Sequence, residues 1–564
     1  MAVDYEGYLK NVGHFGWTQL RIWFLVSLAE IPASWAIMIM VFIAAKPNWT
    51  CMDNINPDSD SDLTYSAANT SSALILSSSS SAQNVSFGKI SSCSTAKQCM
   101  NLTYESDKSS IVTEWDLICE KNYVGALITT IQMGGMLVGA CIVGQLADVW
   151  GRKKTFYTVY TLMILLGFCS AFANTWQLFA VIRFFIGACL AGLLVVNFVL
   201  PMEFVGPRWR VLFAMQFWCV GIMLLPLPAY FISNWRHLCM ATSLPGLLLL
   251  ATWWLVPESP RWLAMQGRVE EAGHVLQWLA DSNNVKTFTV DYDILKQVAK
   301  VERDKVSTVR AYSYWDLCRT PTLAKVTAIL GYAWFVNSAV YYGLSLNVKH
   351  LSGNKYLNIF ISGVVEIPAL LAVYFIDAFG GGRRISMFSF MMFSGVASLC
   401  IQFINMAGKY EELEDVVTVL AMLGKFGVSG SWSLAYIYAA EAYPTNARNL
   451  GIGANSMMGR VGGMLAPQLV FLDSITKSLP FVIFGVLGIS SALLLLLLPE
   501  TARKPLPDAM PSWSWCKTQT PGTVERNELD QLNSDCGVQT HKLQIDNQDD
   551  INPEQALVNG NAIL

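Results

Sequence analysis

The chain has 564 residues, of which 53% are hydrophobic and only 14% are charged, and its formal net charge at pH 7 is −3. A soluble protein normally carries about 25% charged residues, so this composition excludes an ordinary soluble domain. The apolar residues lie in blocks long enough to cross a ~30 Å hydrocarbon core as helices, and no alternation of period two indicates a barrel. The sequence therefore predicts an all-α protein that crosses the lipid bilayer several times.

Twelve transmembrane helices are predicted in chain order. The first follows an N-terminal segment of mostly polar residues and is too long for a cleaved signal peptide. The predicted spans lie near residues 21–45, 123–144, 155–174, 176–200, 211–233, 237–256, 323–345, 357–378, 385–406, 414–437, 450–472 and 479–498.

Arginine and lysine are unevenly distributed among the loops. They are more frequent after predicted spans 2, 4, 6, 8 and 10 than in the short loops on the other side. Because basic loops remain in the cytoplasm, both termini are predicted to be cytoplasmic, namely residues 1–20 and the tail 499–564. The tail is polar and has little to bury, so most of it is predicted to be disordered.

The loop of residues 46–122 is then outside the cell. It contains four N-x-[ST] glycosylation sequons and four cysteines, and an oxidising compartment favours two disulfides with three pairings open. The sequons are at Asn48, Asn69, Asn84 and Asn101, and the cysteines are Cys51, Cys93, Cys99 and Cys119.

Three short acidic and basic motifs recur at similar spacing in the two parts of the chain. They divide it into a six-helix half over residues 21–256, a cytoplasmic linker over 257–322 with short amphipathic helices, and a second six-helix half over 323–498. Parallel repeats of this kind are typical of major facilitator carriers. The motif residues are Gly144, Asp148, Gly151 and Arg152, repeated as Asp377, Arg383 and Arg384; Glu203 and Arg210, repeated as Glu441 and Arg448; and Glu258 and Arg261, repeated as Glu500 and Arg503.

These motifs have two interpretations. Glycine permits a tight turn between helices, and carboxylate–base pairs would close the cytoplasmic face in one state and separate in another. The alternative is that the basic residues only anchor the topology.

Several segments resemble known families. Residues 144–154 resemble the loop 2–3 signature of the major facilitator superfamily. Residues 115–119, 257–263 and 498–501, with Gly13 to Gly16 and Gln19, resemble the solute carrier 22 family of organic cation, anion and zwitterion transporters. The resemblance covers roughly residues 1–507 and implies a multi-pass plasma-membrane carrier that works by alternating access.

The chain departs from this family at two positions. Val149 follows the motif aspartate where the family usually has a basic residue, and Gly380 to Gly382 form a glycine run where it usually has one glycine. Both departures put the strength of the cytoplasmic gate in doubt.

Ionisable residues inside predicted spans are costly and therefore mark candidate functional sites. In the family, cation carriers generally have aspartate at the position of Arg460, whereas anion and carnitine-type carriers have arginine, which binds a carboxylate by two hydrogen bonds. Glu30 either faces the cavity and takes an ammonium group or faces a protein partner. Lys425 either lies deep in the core or contacts Glu366.

Two further readings accompany these charges. Arg183 resembles the span 4 arginine of the superfamily, and structural pairing and a direct role in coupling both remain open. Glu366 lies two residues before Pro368, and this arrangement favours a structural, hinge-like role for Glu366 over ligand contact. Six aromatic residues are candidates for a cavity that attracts a quaternary ammonium group by cation–π contact, although most of them are expected to be packing; they are Trp218, Trp334, Tyr341, Tyr342, Trp432 and Tyr436.

The expected function is transport of a small organic zwitterion such as carnitine or another betaine. The alternatives are an organic anion exchanger, an organic cation uniporter, and a membrane sensor or scaffold that does not transport. The sequence shows no nucleophile–base set, phosphate loop or metal-ligand cluster, so enzymatic activity is not expected. No cofactor, metal site or nucleic-acid partner is expected either. Transport could be coupled to Na⁺ or H⁺, and no residue in the sequence identifies which ion it is.

Overall fold

The computed structural model describes residues 15–51, 102–105, 108–205, 217–285, 288–308, 314–318, 320–348, 351–378, 381–443 and 448–502, with Leu9, Val12 and Gly13. The chain divides into two compact units, Met1–Ala509 and Met510–Leu564, and every described residue belongs to the first. The predicted disordered tail lies outside the described residues from residue 503 onwards.

The N-terminal half begins with an interrupted helix. Its parts are α1 (Trp17–Ser27), α2 (Glu30–Met38) and α3 (Met40–Ile43). Pro32 has no amide hydrogen to donate to the preceding turn, which accounts for the break before Glu30. The half continues with α4 (Ile111–Glu114), α5 (Val124–Trp150), α6 (Arg152–Cys169), α7 (Trp176–Met202), α8 (Trp218–Leu224), α9 (Pro226–Phe231) and α10 (Trp235–Leu250).

Three helices follow in the predicted linker, namely α11 (Pro260–Met265), α12 (Val269–Ser282) and α13 (Tyr292–Thr308). They share an apolar cluster with Leu9 and Val12 of the N-terminal segment. Asn283 Nδ2 donates to Gln19 Oε1 over 3.0 Å, and Gln19 Nε2 donates to the Gly13 carbonyl over 3.0 Å. The N-terminal residues that resemble the solute carrier 22 family therefore hold the linker against the first helix.

The C-terminal half contains α14 (Pro321–Asn347), α15 (Lys355–Val364), α16 (Glu366–Ala378), α17 (Arg383–Met406), α18 (Glu414–Ala442), α19 (Arg448–Phe471) and α20 (Leu479–Leu495). After the break, α16 begins two residues before Pro368, as α2 begins two residues before Pro32. In both places the proline removes one backbone hydrogen bond from a helix that would otherwise continue.

A helix lies at each of the twelve predicted positions. Among the described residues, nine helical segments are long and apolar enough to cross a membrane, and Trp218–Phe231 and Leu479–Leu495 are shorter apolar helices. The chain is thus a multi-pass helical membrane protein, while twelve crossings and cytoplasmic termini remain predictions.

Helix packing repeats in the two halves. The pairs α2–α8, α5–α7, α6–α7 and α6–α10 of the first half correspond in chain order to α14–α19, α16–α18, α17–α18 and α17–α20 of the second. The motifs after corresponding helices therefore occupy corresponding places. The halves meet along α5 with α19 and along α8 with α15.

Many contacts between the halves lie at one end of the bundle, the end that carries the loop between α3 and α4, here called the outer end. The Tyr356 ring at the start of α15 stacks on Phe42 at 5.4 Å and meets Tyr230 edge-on at 5.5 Å between ring centroids. Lys108 Nζ lies 4.8 Å from the centroid of the same ring. Tyr356 thus joins the second half to three residues of the first.

The outer loop is described in part. Strands β1 (Asn48–Cys51) and β2 (Leu102–Glu105) pair antiparallel, with Asn48 opposite Glu105. Cys119 is disulfide-bonded, whereas the pairing of the four predicted cysteines stays a prediction because Cys93 and Cys99 lie outside the described residues. The sequons at Asn69, Asn84 and Asn101 also lie outside them.

Candidate substrate site and recurring motifs

A buried ion pair lies in the interior of the second half. Lys425 Nζ on α18 is 3.0 Å from Glu366 Oε1 on α16, and the two side chains are 2% and 8% exposed. Lys425 also donates to the Ser345 hydroxyl on α14. Because either charge alone would be costly in this environment, each residue is retained by the other. Both alternatives for Lys425 therefore hold, because it lies deep in the core and contacts Glu366 there.

A chain of hydrogen bonds extends from this pair to the first half. Tyr341 on α14 donates to Glu366 Oε1 over 2.7 Å, and Trp218 Nε1 on α8 donates to the Tyr341 hydroxyl over 2.9 Å. Lys425 Nζ lies 3.5 Å from the centroid of the Tyr341 ring. Trp218 and Tyr341 therefore extend the hydrogen bonding of the ion pair and connect the two halves.

A second group of aromatic residues surrounds the space beside Arg460. Trp334 and Tyr436 have ring centroids 4.4 Å apart, and Trp432 lies 5.8 Å from Trp334 and 6.0 Å from Tyr436. Arg460 on α19 acts electrostatically on the hydroxyl groups of both Tyr342 and Tyr436 and so lies close to them. Five of the predicted site residues thus meet at one place, which we call the aromatic–arginine cluster: Arg460, Trp334, Tyr342, Trp432 and Tyr436.

This cluster retains unused binding capacity. Trp334 is 1% exposed, and within the described part of the chain its Nε1 donor has no hydrogen-bond partner. A buried donor without a partner costs free energy unless a ligand or water accepts from it. Arg460, Trp432 and Tyr436 are only partly buried. The cluster can therefore present a guanidinium, an indole donor and aromatic faces to a small solute.

Glu30 is separate from this cluster in its contacts. It is fully buried, and Asn197 Nδ2 on α7 donates to Glu30 Oε1 over 2.6 Å. The backbone amides of Phe217 and Trp218 lie near the same carboxyl group. Of the two alternatives for Glu30, the structure places it against a protein partner.

Arg183 is also buried, at 2% exposure. Its guanidinium donates to the Ala36 carbonyl on α2 over 2.9 Å, contacts Cys239 Sγ at 3.8 Å and lies 4.8 Å from the Phe179 ring centroid. These contacts tie α7 to α2 and α10. The described partners of Arg183 include no residue of the aromatic–arginine cluster, and its role in coupling stays a prediction.

The acidic and basic motifs of the first half form one network. Arg152 lies 2.6 Å from Asp148 Oδ1 and 3.5 Å from Glu203 Oε1. Glu258 Oε1 accepts a hydrogen bond of 2.9 Å from the Lys153 amide, in the first turn of α6. A carboxylate at a helix N-terminus satisfies orphan amides and interacts favourably with the helix dipole.

The second half repeats this network with its own residues. Arg383 lies 3.5 Å from Glu441 Oε1. Glu500 accepts from the Arg383 amide over 2.7 Å and from the Arg384 amide over 3.2 Å, in the first turn of α17. Thr501 Oγ1 donates to Glu441 Oε2 over 2.7 Å. These described contacts hold together the loops of one half, so opening and closing between the halves through them remains a prediction.

Other motif residues have simpler positions. Gly151 has φ 106°, a left-handed conformation that glycine adopts at little cost, and it forms the turn between α5 and α6. Arg261 acts electrostatically on Glu203. A Cβ at Gly144 would meet open space, so that glycine is not required by packing. Arg210, Arg503 and the Asp377 side chain lie outside the described residues.

Sequence reasoning missed several residues of these networks. Asn197 was detectable in principle, because a lone amide in an apolar helix needs a buried partner. Ser345 and Tyr356 carried no comparable signal, since serine and tyrosine are common in membrane helices and only their neighbours give them a role.

Comparison with known proteins agrees with this architecture. Residues 72–513 match the family described as sugar (and other) transporter. The xylose transporter XylE of E. coli, in an inward open conformation, has the same fold, with a TM-score of 0.60 and 15% identity over 86% of this chain and 98% of that one. The chain is therefore a transporter of the major facilitator superfamily and not an enzyme.

Curated relatives define the family more closely. The organic cation transporter protein of Drosophila melanogaster is 36% identical, covering 90% of this chain and 94% of the relative. Solute carrier family 22 member 15-like of Xenopus laevis is 34% identical, covering 90% of this chain and 96% of the relative. The human organic cation/carnitine transporter 2 is 32% identical, covering 90% of this chain and 93% of the relative. The chain belongs to the solute carrier 22 family.

Proposed function

We propose that this chain transports a small organic zwitterion, carrying an ammonium and a carboxylate group, across the plasma membrane by alternating access. The observation that supports the proposal best is the aromatic–arginine cluster. Carnitine or another betaine has the required pair of groups, and the human relative is named for organic cations and carnitine. The relative from Drosophila melanogaster is named for organic cations, so small organic ions are the substrate class that both names support.

Arg460 is the proposed carboxylate contact. The Arg460 side chain is partly buried and lies close to the Tyr342 hydroxyl, and no carboxylate is among its described partners, so its charge stays available to a ligand. A guanidinium binds a carboxylate through two parallel hydrogen bonds, and the free indole donor of Trp334 would supply a third. A purely cationic solute would be repelled at this place.

The aromatic faces are the proposed contact for the ammonium group. Trp432 and Tyr436 on α18 are partly exposed and stand beside Trp334. Each cation–π contact contributes about 0.5–2 kcal/mol, the larger value applying in a desolvated site. Phe198 of the first half lies 6.4 Å from Tyr436 between ring centroids, so the site has a wall from each half.

Alternating access is supported by where the halves touch. Thr130 Oγ1 on α5 donates to the Met464 carbonyl over 3.1 Å and accepts from Gln468 Nε2 over 3.1 Å, both on α19. Together with the contacts of Tyr356, these bonds join the halves at the outer end. Such an arrangement corresponds to a carrier that is closed to the outside, and rocking of the halves would open it.

An organic anion exchanger is the second candidate, because Arg460 has no described carboxylate partner. Lys425 supports it less, since its charge is balanced by Glu366. An organic cation uniporter would need Glu30 or Glu366 as its acidic contact, but Glu366 is paired with Lys425 and Glu30 is fully buried against Asn197.

The test is uptake of three labelled solutes by cells that express the chain: carnitine, tetraethylammonium and an organic sulfate. We expect carnitine uptake to be highest, and Arg460→Ala to reduce it at least tenfold, about the contribution of one charge-assisted bidentate bond. Arg268→Ala, which breaks an exposed ion pair with Glu271 on the linker, is the matched control and should leave uptake unchanged.

Each other outcome has a defined meaning. Preferential uptake of the sulfate with the same loss in Arg460→Ala would favour the anion exchanger. Uptake of tetraethylammonium that survives the substitution would refute a ligand role for Arg460. Uptake no higher than in cells without the protein, for all three solutes, would favour the sensor or scaffold.

A further inference from the structure

The tetrapeptide Glu-Ile-Pro-Ala occurs twice in the chain, at residues 30–33 and 366–369. In each case the glutamate begins a helical segment that follows a break, α2 in one half and α16 in the other. Both glutamates are buried, at 0% and 6% exposure. Two chemically identical local elements therefore place a carboxyl group inside the membrane protein.

The two carboxyl groups differ in charge balance. Glu366 is 3.0 Å from the ammonium of Lys425. Glu30 receives a hydrogen bond of 2.6 Å from the neutral amide of Asn197, and within the described part of the chain it forms no ion pair. The backbone amides of Phe217 and Trp218 near Glu30 are also neutral.

In the described parts of the helices packed against α2, no titratable group supplies the missing cation. Arg183 on α7 donates to the Ala36 carbonyl, which lies six residues beyond Glu30 and so about 9 Å away along the helix axis. Cys239 on α10 contacts Arg183, and Cys219 on α8 interacts electrostatically with both buried glutamates. In the described part of α1, Arg21 lies over the Trp278 ring of the linker, away from Glu30.

An ionised carboxylate without a counter-charge is very costly in a medium of low dielectric constant, and such a group takes up a proton instead. Resting on the proposed transport function, we propose that Glu30 carries a proton while the halves are closed around it, and that this proton is the ion coupled to transport. The carboxylate takes the proton from water on one side of the membrane and returns it to water on the other.

The surroundings of Glu30 connect this proton to the movement of the halves. Glu30 lies beside the start of α8, and the Trp218 side chain there donates to Tyr341 of the second half, which donates to Glu366. Proton loss would leave a negative charge in the closed contact, which is tolerated only when water reaches it. Proton exchange and separation of the halves at α8 are therefore linked.

The test uses the full-length chain in proteoliposomes with a pH-sensitive dye inside and the membrane potential clamped by potassium and valinomycin. The probe is whichever of the three labelled solutes the wild type transports best. We expect its uptake to move protons, and the number of protons moved per solute to fall about tenfold or more in Glu30→Gln, which keeps the hydrogen bond but cannot ionise. Glu412→Gln, an exposed glutamate, is the matched control and should keep the wild-type ratio.

Two more variants keep the test decisive if Glu30→Gln fails to fold. Glu30→Asp retains an ionisable group and should retain proton movement. Asn197→Leu removes a donor that stabilises the carboxylate, so the pH of half-maximal proton-coupled uptake should rise; an unchanged value would contradict the proposal.

The experiment distinguishes failure of the coupling role of Glu30 from failure of the transport function. If the wild type moves solute with no proton movement, or if Glu30→Gln moves as many protons per solute as the wild type, the coupling role of Glu30 is wrong and the transport function stands. If the wild type moves none of the three solutes, the transport proposal fails and the coupling role fails with it.

Discussion

Removing Lys425 is the sharpest test of how the interior is stabilised. Its ammonium lies 3.0 Å from Glu366 Oε1, and the two side chains are 2% and 8% exposed. With an effective dielectric constant of about 20, two unit charges at that distance attract by roughly 5 kcal/mol. Loss of one member of a buried pair typically costs about 3–5 kcal/mol, because the other charge is left without compensation.

We therefore expect Lys425→Met to destabilise the protein by roughly 3–5 kcal/mol, and the double variant Lys425→Met with Glu366→Gln to recover a large part of that loss. The assay is thermal unfolding of the purified protein in detergent, followed by tryptophan fluorescence, for the wild type, both single variants and the double variant. A Lys425→Met protein as stable as the wild type would refute the reasoning. A double variant no more stable than the single one would refute the charge-pairing explanation.

Three further predictions concern the outer end and the turn between α5 and α6. Gly151→Ala should lower the unfolding temperature, because its φ of 106° disfavours any side chain, and Gly144→Ala, which faces open space, is its control. Tyr356→Ala removes three contacts of this ring between the halves, which should open the outer end. The probe is a cysteine in place of Ser110, which lines the adjacent cavity of about 110 Å³; it should react faster with a membrane-impermeant maleimide in the variant. An unchanged reaction rate would contradict a gating role for Tyr356. Burial raises the pKa of Glu114, but hydrogen bonds from Arg236 and Trp235 outweigh burial and leave the pKa below its ordinary value. The stabilisation from this contact is present above the unfolded-state pKa of Glu114 and is lost as the pH falls through the lower folded-state pKa. Glu114→Gln should therefore reduce the fall in unfolding temperature at acid pH. A fall identical to that of the wild type would contradict the role of Glu114.

The sequence by itself determined the class of protein. The length of its apolar blocks requires helices that cross a bilayer, because backbone polar groups must be satisfied inside lipid. Recurrence of Asp148, Glu203 and Glu258 with later counterparts predicted two related halves, and the observed packing repeats in the same way. These features are local in sequence, so pattern and spacing are sufficient to read them.

The assignment of individual charges was decided only by the tertiary structure. Glu30 and Glu366 have the same local sequence, yet Glu366 meets Lys425 and Glu30 meets Asn197, a residue 167 positions away in the chain. Likewise, Arg460 and its aromatic neighbours come from α14, α18 and α19 and meet only when these helices pack. A side chain's electrostatic partner depends on which helices become neighbours, and that choice is made by packing over the whole bundle, which no single segment encodes.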